Sequence, residues 1–482
     1  MNVLVIEAST SSAKAMLYRD ELDTYTVHQI KYPSRVSDVK TQDINGVMDS
    51  VFACARGLIK KTKADVDIIA TASVWHSYLI LDQYGKPVTR VKTWADTEGA
   101  KALRKYRNDP SMQEWLYQKT GCNIHTKYPC WKWSHDRHAL ERPGSVRVSS
   151  VPEYLFEKLT GERAVSKTVA SGTGFFNIHT LTWDKDVLEF CGITESQLSP
   201  LEEYDYCGSL SNVAANALGL KTGIPVMIPG ADGALNQIGE GALRHRIMTM
   251  SVGTSAAIRL SSNAPVLPRE PATWCYYVGD GIRLVGAATA AGGNCADWFV
   301  NKVMQNTMSF PALERAIQSK DISRAPIFLP FLYGEQSPGW DDSRLGMFCD
   351  FSGENDVFDM YYSVLEGVLF NLYHCYTFLS QLMDTPSEIR LSGGIINSAY
   401  WVQMAADIFG LPIAVSKVEH GSMLGALAIA KKIMGRVEAI EEYTNKEDRV
   451  ILPLEGRESY QRRYVRYVEC YGHVSHGGHM ND

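Results

Sequence analysis

Ser9-Thr10-Ser11-Ser12-Ala13, near the start of the chain, aligns without a gap with the similar run Gly253-Thr254-Ser255-Ala256-Ala257 near its middle. Each copy follows an apolar, β-rich stretch (residues 3–6 and 248–252) and precedes another (residues 16–17 and 258–260). This pattern indicates a strand, a tight turn of small residues and a returning strand. Small residues fill many hairpin turns, so either copy alone is also consistent with an ordinary turn. Together the two copies predict a duplicated hairpin.

Turns built from Gly, Ser and Thr have a specific chemical capacity. They expose consecutive backbone N–H groups and hydroxyls, and no bulky side chain blocks the approach of a phosphate oxygen. Two such turns that face each other would clamp a polyphosphate. The repeat therefore predicts a phosphate-binding cleft between two similar halves.

Length and composition agree with two halves. The chain has 482 residues, too many for one ordinary core, and 45% of them are hydrophobic. Strand and helix patterns alternate through both halves, which indicates an α/β fold. We place the boundary where Gly239-Glu240-Gly241 and Arg244-His245-Arg246 interrupt the apolar pattern, giving domains 1–243 and 244–482.

Charge and cysteine usage exclude several classes of function. A formal net charge of −6 provides no basic field for a nucleic acid, so a small molecule is the expected partner. The ten cysteines have no metal-ligand spacing and indicate reduced thiols. No secretory signal opens the chain, and no run reaches the roughly 20 apolar residues of a membrane helix. These features predict a cytoplasmic protein with no membrane partner.

Asp232 is the candidate catalytic residue. It lies in Ile228-Pro229-Gly230-Ala231-Asp232-Gly233, on a glycine-flanked loop that leaves a predicted strand just before the second turn. A lone aspartate in a loop is equally a turn former or a helix cap. Phosphoryl transfer, however, needs a carboxylate that takes the proton of the accepting hydroxyl. The position of Asp232 between the two turns suits that role.

A second cluster combines aromatic and polar side chains. Trp75-His76-Ser77 and Trp94-Ala95-Asp96 flank the turn at residues 82–85. Taken singly, each tryptophan is consistent with a core residue, and His76 with a buried, hydrogen-bonded histidine. Together they offer flat apolar walls and directed polar tips, a combination that suits a polyhydroxylated ligand.

A glycine turn provides the third element. Leu391-Ser392-Gly393-Gly394-Ile395-Ile396-Asn397-Ser398 follows an extended stretch and precedes an amphipathic helix from about Tyr400 to Phe409. Glycines permit backbone contact with a flat ligand, although an ordinary strand-to-helix turn has the same pattern. A longer apolar helix is predicted from about Asp359 to Leu379.

In these motifs, their order and their spacing, the sequence resembles the FGGY carbohydrate kinase family, whose ATPase core is shared with actin. The resemblance runs over nearly the whole chain and includes residues 8–14, 94–96, 230–232, 251–255, 328–338, 365–367, 392–394 and 424–426. It implies two actin-like (ribonuclease H-like) ATPase domains flanking a central cleft, with ATP and Mg²⁺ as cofactors and a homodimer as the family habit.

The resemblance also assigns residues to roles. It implies that Asp232 is the catalytic base and that the substrate site includes Trp75, His76, Trp94, Asp96 and Asp232. The implied ATP-binding residues are Thr10, Ser11, Lys14, Gly253, Thr254, Ser255, Gly293, Gly393, Gly394 and Asn397. Glu7 stands where the family usually has an aspartate that helps hold hydrated Mg²⁺, so Glu7 and Asp232 are the candidate metal residues, and the additional methylene of Glu7 alters the geometry.

Within the family, Trp75-His76-Ser77, Thr93-Trp94-Ala95-Asp96 and Tyr128-Pro129 resemble the gluconate kinases. The expected function is ATP-dependent phosphorylation of a hydroxyl of a small sugar acid or sugar, with gluconate first. D-xylulose, another pentulose, an alditol or glycerol are the alternative acceptors, and a non-catalytic sugar- and nucleotide-binding paralogue is the alternative of another class. A sugar acid would need a nearby cation; Lys127 or Lys132 would serve, although a solvated surface lysine is the expected state of each.

Overall fold

The computed structural model describes residues 1–38, 40–244, 246–318, 320–443 and 449–477. The predicted duplicated hairpin is confirmed. The strand Asn2–Ala8 pairs antiparallel with Ser12–Arg19 and parallel with Ile68–Ser73. In the second half, Ile247–Val252 pairs antiparallel with Ala256–Ser262 and parallel with Glu388–Ser392.

The described residues form two large sheets with seven strands each, and the two have matching orders. In the first, the order is Cys207–Ser209, Pro225–Met227, Ile68–Ser73, Asn2–Ala8, Ser12–Arg19 and Thr24–Lys31, with Gly230–Ala231 also paired to Ile68–Ser73. In the second, the order is Arg449–Ile451, Ile413–Val415, Glu388–Ser392, Ile247–Val252, Ala256–Ser262, Ile282–Thr289 and Trp274–Gly279. The predicted α/β class, with a repeated unit, is therefore confirmed.

Helices cover the sheets. In the first half they are Ile44–Thr62, Ala100–Arg107, Pro110–Thr120, Pro129–Asp136, Val151–Thr160, Lys167–Ala170, Lys185–Cys191, Asn212–Leu218 and Asp232–Gly239. In the second half they are Gly293–Trp298, Phe310–Gln318, Val357–Ser380, Ala399–Phe409, Gly421–Ile433 and Glu458–Gly477. Short strand pairs complete the fold: Thr41–Gln42 with Val91–Lys92, Leu79–Leu81 with Arg147–Ser149, Val165–Ser166 with Leu201–Glu202, Phe176–Asn177 with Thr182–Trp183, and Ile327–Leu329 with Met347–Cys349.

Two of the predicted helices are present, with ends that lie within about two residues of the predicted ones. Ala399–Phe409 ends at Gly410, which adopts a left-handed conformation (φ 65°) that a side chain would strain. Val357–Ser380 begins at a capping box in which Asp356 and Asp359 each accept a backbone N–H. Most of its apolar residues are buried, as predicted for a core helix.

The two halves meet where the helices Asp232–Gly239 and Gly421–Ile433 cross. A Cβ atom on Gly239 would lie 1.9 Å from the carbonyl oxygen of Gly421, and one on Gly425 would lie 1.9 Å from that of Leu235. Both distances are far shorter than any real contact, so glycine is required for this close backbone approach. The crossing fixes the helix that begins with Asp232 against the second half.

The division into domains 1–243 and 244–482 stays a prediction. The boundary between 243 and 244 adjoins His245, which lies outside the described residues, as do residues 478–482 of the predicted second domain. None of the helices in the described ranges combines the length and the apolar character needed to cross a bilayer.

Candidate active site

A cavity of about 280 Å³ lies between the two halves. Its walls come from both sheets and from the segments that connect them. The lining residues are Val74, Trp75, His76, Trp94, Lys127, Asp232, Gly233, Ser251, Ser255, Ala256, Ala257, Arg259, Trp274, Tyr276, Ala288, Thr289 and Gln336. The structure thus brings Trp75, His76, Trp94, Asp232 and Ser255, which are far apart in sequence, into one site.

Asp232 is held with a defined orientation at the cavity wall. It is the first residue of the helix Asp232–Gly239 and not a loop residue, because the two-residue strand Gly230–Ala231 leads directly into the helix. Its Oδ1 accepts the backbone N–H of Gly233 (2.8 Å) and that of Trp75 (3.3 Å). Within the described ranges both of these hydrogen bonds go to Oδ1, which leaves Oδ2 available to a ligand. The sequence signal for a helix, Asp in the first turn, was present but was interpreted as a loop.

The environment of Asp232 makes it a stronger base. Burial raises the pKa of its carboxyl to about 6, and the negative charge of Glu7 adds to that rise. The two backbone hydrogen bonds and Arg259 oppose it. A carboxylate with such a pKa is mostly ionised at neutral pH and accepts a proton more readily than an ordinary aspartate.

The first turn contacts the cavity through Trp94. The Trp94 indole N–H donates to Thr10 Oγ1 across 3.4 Å, and Trp94 itself is 37% exposed, facing the open space. Ser11 is exposed at the tip of the turn. Lys14, on the returning strand, places its Nζ 2.9 Å from Glu7 Oε2.

Glu7 is buried and is engaged on both of its oxygens. Besides the contact with Lys14, its Oε1 accepts the hydroxyl of Ser422 (2.6 Å), which belongs to the helix Gly421–Ile433 of the second half. Glu7 therefore connects the first turn to the other half of the molecule.

The second turn is supported by two glycine segments. A Cβ on Gly293 would lie 2.9 Å from the carbonyl oxygen of Gly253, and one on Gly393 would lie 2.5 Å from that of Val252. Gly393 also has φ 93°, which favours glycine. Gly293 and Gly393 thus both pack against the backbone of the segment Val252-Gly253, and Thr254 and Ser255 are exposed beside them.

The remaining predicted nucleotide-binding residues, Gly394 and Asn397, lie on the turn that directly follows Gly393 in the chain. Gly394–Asn397 form a single 3₁₀ turn, in which Gly394 and Asn397 are exposed. The exposed turn offers backbone and amide groups next to the second phosphate turn.

His76 is fixed with one ring nitrogen toward a backbone carbonyl. Its Nδ1 lies 2.8 Å from the carbonyl oxygen of Gly172, and because a carbonyl only accepts, Nδ1 carries the proton. Burial, with the charge of Lys127 next, holds the pKa of His76 well below its ordinary value, so the ring is neutral and Nε2 is an acceptor. Trp75 stacks on the ring at 5.6 Å between centroids.

Asp96 does not line the cavity. It is buried, and its carbonyl oxygen and Oδ1 face Lys132 Nζ at 3.0 and 3.4 Å. Burial lowers the pKa of Lys132 to about 8, and Asp96 opposes that change. Lys132 is therefore a buried partner of Asp96, and the expectation of a solvated lysine is wrong here.

Lys127 is buried too, contrary to the same expectation. It is 5% exposed, lines the cavity and places its ammonium 4.8 Å from the ring centroid of Trp340 and 4.9 Å from that of Tyr128. Burial lowers its pKa to about 7, and the charge of Arg259 lowers it further. Within the described ranges, no carboxylate lies at ion-pair distance from its Nζ.

Arg259 is a site residue that the sequence analysis missed. It lies on the strand Ala256–Ser262 and lines the same cavity, and its Nη1 donates to Ser251 Oγ at 3.4 Å. Burial lowers the pKa of its guanidinium, whereas Asp232 and Glu240 raise it. A single charged residue inside the apolar run Ala256-Ala257-Ile258-Arg259-Leu260 was the available signal.

Comparisons with known proteins show the family to which the chain belongs. The family model described as the FGGY family of carbohydrate kinases matches residues 2–239 with its N-terminal domain and residues 248–432 with its C-terminal domain. The gluconokinase of Bacillus subtilis (strain 168) is 27% identical over 460 residues, which cover 91% of this chain and 89% of that protein. A xylulose kinase of Staphylococcus epidermidis is 25% identical, covering 89% and 88%.

Solved structures give the same result. The crystal structure of a gluconate kinase from Lactobacillus acidophilus superposes with a TM-score of 0.93 at 25% identity, covering 99% of each chain, and a ligand-bound xylulose kinase from the same species gives the same values. The predicted actin-like fold is confirmed by these matches. The chain belongs to the FGGY family of carbohydrate kinases and is therefore a phosphotransferase.

Proposed function

We propose that the protein transfers the γ-phosphoryl group of ATP to a hydroxyl of a small sugar acid, with gluconate as the acceptor of choice. One observation carries this proposal. Two cations, the buried Lys127 and the half-buried Arg259, line the cavity that holds the candidate base Asp232, and no carboxylate of the described residues lies within ion-pair distance of Lys127. Burying unpaired charge is costly. An acceptor that brings its own carboxylate would neutralise it.

The mutual influence of the two cations strengthens the argument. The charge of Arg259 contributes to the lowered pKa of Lys127, so the two groups repel each other across the cavity. An anion between them removes this repulsion and restores the charge of Lys127 by raising its pKa. A neutral pentulose such as D-xylulose, an alditol or glycerol supplies no such group.

Asp232 is the proposed general base. Its Oδ1 is held by two backbone N–H groups, so Oδ2 is directed at the acceptor hydroxyl and takes the proton as the new O–P bond forms. The neutral His76 offers Nε2 as an acceptor for a second hydroxyl. Trp75 and Trp94 provide apolar faces for the carbon chain. Asp96, held by Lys132, is a proposed substrate contact that is reached on closure.

The two turns are the proposed phosphate clamp. Thr10, Ser11 and Lys14 come from the first half, and Gly253, Thr254 and Ser255 from the second. Gly293, Gly393, Gly394 and Asn397 are proposed to line the nucleotide pocket beside the second turn. Thr10 reaches the cavity through Trp94 and Ser255 lines it directly, which supports a nucleotide whose terminal phosphate points at Asp232.

Glu7 and Asp232 would hold a Mg²⁺ ion that arrives with the nucleotide once Lys14, which is proposed to bind a phosphate, leaves Glu7 Oε2. Mg²⁺ keeps several waters and uses one or two protein carboxylates together with phosphate oxygens. Glu7 and Asp232 are close enough for the charge of one to raise the pKa of the other, and a cation near both would offset that repulsion. When bound, the ion would neutralise charge on the transferring phosphoryl group. In the described ranges no three acidic, His or Cys side chains group as a metal site of their own.

The test is release of ADP, measured with a coupled assay, against gluconate, other sugar acids, D-xylulose, alditols and glycerol. The proposal expects a kcat/KM for gluconate at least tenfold above that of any neutral acceptor. A preference for D-xylulose would assign the chain to the alternative acceptor, and no turnover with any acceptor would favour a non-catalytic binding protein. The cytoplasmic location and the homodimer stay predictions.

A further inference from the structure

A loop of the second half reaches across the cavity to the first half. Residues 331–344 connect the strands Ile327–Leu329 and Met347–Cys349 and contribute Gln336 to the cavity wall. On their own side they are anchored by the buried ion pair between Arg344 and Glu335 (2.9 Å) and by the hydroxyl of Tyr471, which donates to Glu335 (2.7 Å). The loop is therefore a firm part of the second half.

Asp342, near the end of this loop, contacts two residues of the first half. Its Oδ2 accepts from Arg107 Nη2 at 2.8 Å, and its Oδ1 lies 2.7 Å from His125 Nε2. Burial acts to raise the pKa of Asp342, but His125 and Arg107 outweigh it and lower that pKa to about 2. Asp342 is therefore a carboxylate at every physiological pH, and it connects the two halves.

His125 transmits this contact to Lys127. The backbone N–H of Lys127 donates to His125 Nδ1 at 3.1 Å, so in the neutral ring the proton resides on Nε2, facing Asp342. Burial lowers the pKa of His125, which keeps the ring neutral. The Asp342 oxygen lies off the axis of the Nε2–H bond, so this is an electrostatic contact more than an aligned hydrogen bond.

Trp340 holds the other end of the same lysine. Its ring lies 4.8 Å from Lys127 Nζ and 5.5 Å from the ring of His125. Trp340 has a left-handed backbone conformation (φ 55°), and its indole N–H donates to the carbonyl oxygen of Ala272 at 3.3 Å. The loop thus supports Lys127 in two ways: Asp342 holds His125, which accepts the backbone N–H of Lys127, and Trp340 contacts the ammonium group.

We propose that Asp342 and Trp340 are positioning residues that place Lys127 for the carboxylate of the acceptor, so that selection of a sugar acid depends on the contact between the two halves. This inference rests on the proposed function. When the loop leaves the first half, Lys127 loses the groups that orient it, and the cavity loses its preference for an acid. Neutral acceptors and nucleotide do not use Lys127 and are unaffected.

Steady-state kinetics of Asp342→Ala tests the positioning role. We expect KM for gluconate to rise about tenfold or more, which corresponds to the loss of one oriented charged contact, while KM for MgATP stays within about twofold. Asp342→Asn keeps an oxygen beside His125 and is expected to lose less. The matched control is Asp341→Ala in the same loop, because among the residues that the structure describes the carboxylate of Asp341 accepts hydrogen bonds from Ser343 alone. Equal KM values for gluconate in Asp342→Ala and Asp341→Ala would overturn the inference.

A second measurement reports on Lys127 without any acceptor. Reductive ¹³C-methylation labels its amine, and the signal, assigned with Lys127→Arg, is titrated by NMR. We expect the wild-type label to titrate near pH 7, because burial lowers the pKa of Lys127. In Asp342→Ala, and in Trp340→Leu as a second variant, we expect the midpoint to rise by about one pH unit or more as water enters. An unchanged midpoint in both variants would refute the positioning role. If the wild type does not phosphorylate gluconate but the midpoint moves as expected, only the proposed substrate fails.

Discussion

Replacement of Lys127 by Met separates the two consequences of a buried cation. The side chains of lysine and methionine have similar lengths and apolar stems, so this substitution removes the charge and leaves the packing nearly intact. The proposal expects the variant to lose activity with gluconate and, at the same time, to gain stability. A lysine needed only for packing or solubility would show neither effect.

The loss of activity follows from the chemistry of the contact. Truncation of one partner of a buried, hydrogen-bonded charge pair typically costs about 2 to 4 kcal/mol, which corresponds to a 30-fold to 10³-fold fall in kcat/KM for gluconate. The kcat/KM for a neutral pentulose should change little, because that acceptor has no carboxylate. Lys127→Arg should retain part of the gluconate activity because it keeps the charge.

The gain in stability follows from the pKa. Burial lowers the pKa of Lys127 from 10.5 to about 7, so the unfolded chain binds this proton more tightly than the folded protein does. At about 1.36 kcal/mol per pKa unit this costs at most about 5 kcal/mol of unfolding free energy below pH 7, and the cost disappears as pH rises through 10.5. With water entering the cavity, we expect about 2 kcal/mol.

The assays are the coupled measurement of ADP release and urea unfolding of the acceptor-free protein at pH 6 and pH 10. We expect Lys127→Met to be more stable than the wild type at pH 6 and similar to it at pH 10. The control is Lys119→Met, which removes a partly exposed lysine paired with Asp184 and Asp186. Full gluconate activity in Lys127→Met, or lower stability at pH 6, would refute the reasoning.

Three further predictions concern the base, the pH profile and the crossing of the helices. Asp232→Asn is expected to lower kcat by about 10² to 10⁴, whereas calorimetry should show that MgATP still binds; wild-type turnover would remove Asp232 from its role. Because the pKa of Asp232 is raised to about 6, the variant should also unfold at a higher urea concentration than the wild type at pH 8. For gluconate, kcat/KM should fall as pH drops through about 6, where Asp232 gains a proton, and should also fall as pH rises above about 7, where Lys127 loses its proton. With a neutral pentulose the decline above pH 7 should be missing. Identical pH profiles for the two acceptors would argue against a role of Lys127. Gly425→Ala should destabilise the protein by about 2 kcal/mol or more in urea unfolding, because its Cβ would overlap the carbonyl oxygen of Leu235. The control Gly472→Ala, whose Cβ would meet no atom within 4 Å, should not destabilise the protein. Equal stabilities of the two variants would mean that the helices can separate without cost.

The repeated part of the fold was accessible from sequence. Two short runs of small residues, each between apolar strands, predicted the duplicated hairpins, and the structure has Asn2–Ala8 with Ser12–Arg19 and Ile247–Val252 with Ala256–Ser262. These features depend on local patterns of period two and on turn composition, which a single sequence displays directly.

The burial of the charged residues was not accessible in the same way. Lys127 and Lys132 were expected at the surface because lysine usually is solvated, yet both are enclosed by segments distant in sequence. Trp340, from the other half of the chain, lies over Lys127, and Asp96 binds Lys132. Such tertiary contacts leave no periodic signal in the sequence. The presence of both Lys127 and Arg259 at the cavity was therefore visible only in the three-dimensional structure.

The central claim is tested most directly by a crystal structure of the protein with gluconate and ADP. The account predicts that the gluconate carboxylate lies within about 3 Å of Lys127 Nζ, the distance of a charge-assisted hydrogen bond, and faces Arg259, with a hydroxyl of the same molecule next to Asp232. A carboxylate turned away from both cations, with Lys127 still unpaired, would contradict it.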